Sequence, residues 1–347
     1  MTIHTVTIQP SGTVIHCRSD QTIAEAAEEQ GVAIAIGCDN GVCEICRGEY
    51  LDGEFDFRNS LGEQRLKQDN QLLCCVAQPR TDAEIFMSDV HAPHHKPEMA
   101  MACQISAVEP LKGNVYRVTL LTPAGQPADF WPGQYLMLTV PAEQGEQQLP
   151  YSIASAPGAL TGEDARRIEL HIAAGSETSD RVMAFLKQSP TVRVTLPFGD
   201  CRVHPQFLAD HAEPLIMIAA GTGFSQIKSL VEGILAMEPE REMHIYWSNR
   251  GQDGFYLADL PISWAQQYAN LHYHPIIEQH SDGWHGRAGW IYQVIHEDFT
   301  DLSNVRMFAC GSPNMVYGTL DQLEPLGLSI NMMHSDVFAY APRPDKA

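Results

Sequence analysis

Positive charge is what this chain has least of. Lys and Arg number 22 against 43 Asp and Glu, and the formal net charge is −21. Such a chain repels nucleic acid and anionic lipid, so neither is expected as a partner. Long apolar runs are missing too. None reaches the length of about 18 residues that a membrane-spanning helix needs, so nothing is expected to span a membrane. The first residues, MTIHTVTIQPSG, hold no basic stretch leading into an apolar one. No secretory signal is therefore expected, and the cytoplasm is the expected location. Without such a signal, the nine cysteines point to metal or redox use rather than to disulfides. What is present is ordinary for a globular protein: 44% hydrophobic residues in 347, enough for two or three domains.

Four of the cysteines carry the first chemical signal. Cys38, Cys43 and Cys46 stand as C-x4-C-x2-C in GCDNGVCEIC, and Cys75 follows after 28 intervening residues in LLCCVAQP. That is the plant-type spacing for a 2Fe-2S cluster. Gly41 lies inside the loop, where the backbone must pass close to inorganic sulfide and a Cβ would obstruct it. The alternatives are a zinc knuckle or a disulfide framework. Zinc sites usually show two C-x-x-C-like pairs, whereas here the fourth cysteine stands apart. Cys74 competes with Cys75 for the fourth position. Cys17, Cys103 and Cys201 read as buried thiols.

The chain divides into three parts. Residues 1–88 alternate apolar and polar residues around TVTIQ and predict one helix, Ile23–Gln30. Residues 1–90 hold six Lys/Arg against 15 Asp/Glu, a net of −9. An acidic face of that kind can steer a basic redox partner, or simply keep the surface solvated. Residues 89–100, DVHAPHHKPEMA, read as a linker; His91, His94 and His95 have no Cys or carboxylate beside them and read as part of it. Residues 101–207 hold short β-rich runs, VYRVTLLT, QYLMLTV, YSIAS, RIELHIAA and VRVTLP, which predict a small antiparallel barrel. A helix at Arg181–Lys187 interrupts them, with Ser179 as its expected N-cap. Residues 208–347 alternate strand and helix: PLIMIAA, MHIYWSN, LHYHPIIE, VRMFACG and INMMHSD predict a parallel, doubly wound sheet.

The first turn of that sheet carries Gly221, Thr222 and Gly223. Glycines between a strand and a helix let a pyrophosphate approach the backbone and the helix N-terminus. The third glycine of the full dinucleotide fingerprint is absent, because position 226 is Gln226. Taken alone, the pair equally suits a tight strand-to-helix turn.

Two resemblances sharpen these readings. Residues 1–88 resemble plant-type ferredoxins, whose C-x-x-G-x-C-x-x-C pattern is met by Cys38, Gly41, Cys43 and Cys46. Their closing stretch is met by Cys75, Pro79, Thr81 and Asp82, a register that favours Cys75 as the fourth ligand. Residues 101–340 resemble the ferredoxin-NADP reductase superfamily, and within it the bacterial NAD(P)H-flavin reductases. The matches run in order: GQYLML, then Tyr151-Ser152-Ile153-Ala154-Ser155, then Gly221-Thr222-Gly223-Phe224, then Tyr246-Trp247, then Cys310-Gly311 with Pro313 and Met315. A ferredoxin segment followed by a reductase resembles the reductase components of multicomponent oxygenases. It also resembles the reductases serving the dehydrase of 3,6-dideoxysugar synthesis, and Ser335-Asp336-Val337-Phe338 is most similar to these and to flavin reductases.

The resemblance implies roles. Tyr151 would lie on the isoalloxazine face and Ser152 would hydrogen-bond flavin N5. Cys310, with Gly311, would stand beside the nicotinamide carbon that gives up hydride, and Phe338 would also contact cofactor. Each has a plainer reading, as a half-buried strand residue or a buried thiol. One departure matters. The family's Arg two residues before the Tyr, which pairs with a flavin phosphate, is Leu149 here. The phosphate would then rely on Thr178, Ser179 and backbone amides at that helix start. FAD is the expected flavin, with FMN left open. Arg250, after the second strand, suits a 2′-phosphate but equally suits a surface charge, so NADH and NADPH both stay open. Three functions compete: an electron-transfer reductase for a partner oxygenase or sugar dehydrase, a reductase of free flavin, and a redox-sensing binding protein. The ferredoxin segment favours the first; Leu149 favours the second; Ser152, the glycine turn and Cys310 argue against the third.

Overall fold

The computed structural model describes residues 2–59, 70–87, 90 and 94–343, and divides into two compact units, Met1–His95 and Lys96–Ala347. The smaller unit is built on a mixed five-stranded sheet. Its strands run, edge to edge, Thr13–Arg18, Ile3–Gln9, Ala83–Phe86, Arg47–Asp52 and Gln71–Leu73. Strand Ile3–Gln9 pairs antiparallel with Thr13–Arg18 and parallel with Ala83–Phe86. The alternation legible in the sequence becomes a buried face: Val6, Ile8, Ile15 and Cys17 point into the core. Helix Ile23–Glu29 covers that face with Ile23, Ala24, Ala26 and Ala27. It starts where Thr22 and Glu25 form a capping box, and Arg58 grips the Glu25 carboxylate from outside at 2.6 Å. A two-stranded sheet, Phe55–Phe57 with Ala77–Pro79, lies beside it. This is the α+β ferredoxin (β-grasp) arrangement.

The larger unit holds two sheets. The first is antiparallel, in the order Glu146–Ser152, Tyr135–Pro141, Thr191–Phe198, Met99–Pro110, Val115–Leu121 and Arg167–Ala173. It curls until Ile153, just past one end strand, bridges to Leu170 in the other. Inward residues such as Leu136, Leu138, Leu170 and Val194 fill the resulting half-barrel. Strand Met99–Pro110 was not legible in advance: its burial alternates weakly, and it begins inside the stretch read as a linker. The helix here is Glu177–Gln188, longer than the expected Arg181–Lys187. Its N-cap is Ser176, not Ser179. Ser176 accepts from the Ser179 amide at 3.2 Å, and the Ser179 hydroxyl returns to the Ser176 amide at 3.0 Å. Two serines three residues apart make a reciprocal cap, and the first of them sits outside the helix.

The second sheet is parallel, in the order Arg287–Ala288, Leu271–Ile277, Met243–Asn249, Leu215–Ala220, Arg306–Cys310 and Met333–His334. The last of these is only two residues after a 3-10 turn at Ile330–Met332, where the pattern INMMHSD predicts a full strand. Successive strands are added on one side of Leu215–Ala220 and later ones on the other. The order therefore reverses at its C-terminal end, the place where open α/β sheets bind ligands. Among the described residues, no helix is long and apolar enough to cross a membrane. His91 lies outside the described residues.

Candidate functional site

In the smaller unit the four expected cysteines come together as two pairs. Cys38 interacts with Cys43, and Cys46 with Cys75. The loop from Cys38 folds its peptide groups onto sulfur: the amides of Val42 and Cys43 both donate to Cys38 Sγ at 3.3 Å. Gly41 holds φ at +80°, where an L side chain is disfavoured, so the glycine is required by backbone geometry. Amide donation, first from Asn40 and Cys43, holds the Cys38 thiol down at about 6. Burial, and then the bond to Cys46, push Cys75 up to about 12. Deprotonating all four calls for a cationic guest, and two pairs of thiols suit two irons better than one tetrahedral zinc. Cys74 turns away: it is buried, and its Sγ sits 3.3 Å from Met87 Sδ in the core.

In the larger unit, a cleft of about 730 Å³ opens between the two sheets. Tyr151, Ser152, Thr178 and Ser179 reach it from the curled sheet and its helix, and Thr222, Gly223, Cys310 and Gly311 from the parallel sheet. A second cleft of about 860 Å³ adjoins it and contains Gly221 and Arg250. The switch point thus splits the glycine turn between two cavities. The turn itself is packed hard. A Cβ on Gly223 would come within 2.1 Å of the Cys310 carbonyl oxygen, so the glycine allows the helix to approach the neighbouring strand. Trp247 Nε1 donates to the Gly221 carbonyl at 2.9 Å, while its ring stacks on Phe224 at 3.8 Å.

Phe338 does not join these residues. It packs against Tyr317, with ring centroids 5.4 Å apart, and Tyr340 lines the first cleft instead. The short terminal helix Val337–Tyr340 turns the two aromatics to different sides, which spacing alone does not reveal. Leu149 also lines the cleft, so the position of the missing Arg faces the cavity.

Several polar residues went unread in the sequence. Gln226, in the third glycine's place, donates to the Gly133 carbonyl at 2.6 Å and to Asp336 at 2.7 Å, tying the helix to both sheets. Burial pushes the Asp336 carboxyl up. Cys201, read as an inert thiol, hydrogen-bonds Cys310; that bond and then burial keep it protonated. Behind the cleft lies a buried charge network. Glu169 is met by His171 at 2.8 Å, by Arg167 at 2.5 Å and by Lys228 at 3.4 Å. Lys228 also reaches Glu232 at 2.8 Å and the Ala154 carbonyl at 3.0 Å. Burial alone would raise Glu169, but the His171 hydrogen bond and the surrounding cations outweigh it and hold the carboxyl well below the usual range. Burial also holds His171 below its ordinary value, and its other nitrogen sits 3.1 Å from the Tyr256 hydroxyl. A signal for this network existed in RIELHIAA, where a Glu and a His alternate on one face of an otherwise apolar strand.

Four paired thiols, a cleft at a sheet switch point and a flanking curled antiparallel sheet define an iron–sulfur, pyridine-nucleotide-dependent flavoprotein oxidoreductase. Comparison with known proteins agrees. A family described as a 2Fe-2S iron-sulfur cluster binding domain matches residues 6–80, and one described as an oxidoreductase NAD-binding domain matches residues 217–321. The CDP-6-deoxy-L-threo-D-glycero-4-hexulose-3-dehydrase reductase of Yersinia pestis is 28% identical over 337 residues, covering 96% of this chain and 98% of the relative. The NAD(P)H-flavin reductase of Vibrio harveyi is 30% identical over 250 residues, covering 70% of this chain and all of the relative. The cytochrome P450 reductase structure from Amycolatopsis shares the fold, with a TM-score of 0.63 at 24% identity over 96% of this chain and 98% of that one. The chain belongs to the ferredoxin-NADP reductase superfamily, in the branch that carries an N-terminal 2Fe-2S ferredoxin domain. Its cofactors are a 2Fe-2S cluster, FAD and NAD(P)H, and its activity is electron transfer from the pyridine nucleotide.

Proposed function

We propose that this reductase draws electrons from NADH through the cleft shared by Ser152 and Cys310 and delivers them singly, from the Cys38, Cys43, Cys46 and Cys75 cluster, to a protein partner. The observation that carries the reading is that Ser152 and Cys310, on different sheets, line one cavity at the switch point of the parallel sheet. When bound, the flavin converts a two-electron hydride into single electrons, and the cluster carries them one at a time. The chain's residues supply placement. Tyr151 offers aromatic area to a flat ring and the Ser152 hydroxyl a hydrogen bond. Thr178, Ser179 and the amides at the start of helix Glu177–Gln188 suit a phosphate. Gly221, Thr222 and Gly223 leave the backbone bare for a pyrophosphate, and Arg250 suits the far end of the nucleotide. Cys310 and Gly311 bound the space between.

The expected partner is a sugar dehydrase or an oxygenase component. The full-length likeness to the Yersinia reductase, whose name gives it a hexulose dehydrase, favours the dehydrase. Around the cysteine loop, Ile36, Val42 and Ile45 are exposed, an apolar collar suited to a transient protein contact. The chain divides functionally as residues 1–88, a linker at 89–100, a flavin domain at 101–207 and a nucleotide domain at 208–347, and acts in the cytoplasm. The test compares electron acceptors. A protein lacking its cluster should still oxidise NADH with ferricyanide, a small acceptor, but should fail with cytochrome c or with a purified dehydrase. Reduction of cytochrome c at the parent rate without the cluster would favour the free-flavin reading instead.

Two variants test the cleft. Ser152→Ala should leave the iron content unchanged and slow flavin reduction by NADH in stopped-flow absorbance, because a contact made in the transition state is lost. An unchanged rate would remove Ser152 from the chemistry. Leu149→Arg should tighten flavin binding by about 1.5–3 kcal/mol, roughly 10- to 150-fold, by adding a charge-assisted contact to phosphate. Fluorescence titration with FAD, FMN and riboflavin reads it. The gain should appear for the two phosphorylated flavins and not for riboflavin.

A further inference from the structure

Parallel sheets covered on both faces normally carry near-continuous apolar strands. One face of this sheet does not. His244 and His272 are direct cross-strand partners on neighbouring parallel strands, and the next pair on that face is Tyr246 with His274. The imidazoles of His244 and His272 lie with centroids 4.6 Å apart, and Glu242, just ahead of the first strand, places a carboxylate oxygen 3.1 Å from His244 Nε2. One ligand atom from each of Glu242, His244 and His272 falls within 4.8 Å of the others. The trio sits where both strands begin, whereas Gly221 and Arg250 line a cleft at the ends where such strands finish. It is separate from the nucleotide site.

Nothing in electron transfer from a pyridine nucleotide calls for three imidazoles there. Two of their nitrogens, His244 Nδ1 and His274 Nε2, are buried without a hydrogen-bond partner, a cost that a purely structural stripe would not retain. We propose that Glu242, His244 and His272 form a binding site for one borderline divalent cation, zinc foremost. Two imidazoles and one carboxylate are a zinc donor set that leaves a fourth position for water, with ligand distances of about 2.0–2.2 Å. His244 is anchored, its ring edge-on to Phe299 at 5.0 Å, while Glu242 and His272 are exposed and free to close onto an ion. The bound ion would clasp the beginnings of two central strands, and would raise stability in proportion to its occupancy.

Titration calorimetry of the full-length protein, with cluster and flavin in place, tests this using zinc chloride alone. The expected result is one saturable equivalent in the parent. His272→Ala and Glu242→Gln should each weaken it by at least the roughly 10- to 100-fold that loss of even an outer partner costs. Both positions are exposed, so NADH oxidation with ferricyanide should match the parent and show that the fold is intact. His16→Ala, in the other unit, should change nothing. Zinc should raise the melting temperature of the parent and of His16→Ala but not of the other two. No saturable binding in the parent, or equal affinity in His272→Ala and Glu242→Gln, overturns the site. Iron release in step with zinc uptake also overturns it, since the cysteines would then be the ligands.

Discussion

Cys75→Ser is expected to lose the 2Fe-2S cluster, whereas Cys74→Ser keeps it. The two residues are neighbours in sequence, and the fold turns them apart. Cys75 shares a hydrogen bond with Cys46 and faces the Gly41 amide, on the side where Cys38 and Cys43 form the other pair. Cys74 is buried among apolar side chains with its sulfur against Met87. Burial pushes its thiol well up, so it would resist becoming the thiolate that iron requires. Serine at 75 replaces a soft ligand with a hard one. Iron analysis and visible absorbance of anaerobically purified variants decide the matter. An intact cluster in Cys75→Ser together with a lost one in Cys74→Ser would reverse the assignment.

Glu169→Gln is expected to destabilise the larger unit by about 3–5 kcal/mol, the range for breaking a buried ion pair by neutralising one member. The Glu169 side chain is 3% exposed and faces Arg167, Arg117, His171 and Lys228. Neutralising it leaves Lys228, 7% exposed, with Glu232 as its remaining carboxylate. All five tryptophans, Trp131, Trp247, Trp264, Trp284 and Trp290, lie in this unit. Tryptophan fluorescence in urea therefore reports its unfolding alone. A loss below about 1 kcal/mol would show that the network is dispensable. The pH dependence has a definite sign. Glu169 titrates lower when folded than when unfolded, so its contribution is complete above the ordinary carboxylate range of about 4.5 and fades as pH falls below it. His171 is also depressed, so the unfolded chain takes up its proton first and stability begins to fall below about 6.5. Both act in the same direction. Acid should weaken the parent in two stages, and Glu169→Gln should lose the lower stage.

Much of the architecture was legible because it rests on local rules. Period-two alternation marked Val6 and Ile8 as an inward face, and apolar runs such as LIMIAA marked strands buried on both faces. The misreadings share a different cause. Ser179 looked like a cap because serine favours that position, but Ser176 could fill it as well, and which serine stays outside the helix depends on where the preceding strand releases the chain. INMMHSD has strand-forming residues, yet only Met333 and His334 find a partner strand to pair with. Strand Met99–Pro110 has weak alternation and gains its place from hydrogen bonds to Val115–Leu121 and Thr191–Phe198.

The site divides along the same line. Cysteine spacing, the Gly221–Gly223 turn and the order of motifs are properties of a short stretch of chain, so the sequence by itself determined the cluster, the glycine turn between strand and helix and the class of reaction. Distances between residues far apart in the chain were decided only by the fold. Cys201 beside Cys310, Gln226 bridging Gly133 and Asp336, and Lys228 reaching Glu169 all join segments about 60 to 110 residues apart, and that Tyr340 rather than Phe338 lines the cleft depends on how a terminal helix turns. Such contacts leave no spacing in the sequence. They arise because the reversal of strand order at Leu215–Ala220 brings the ends of two sheets to one cleft, and the buried polar groups gathered there must then find partners across it.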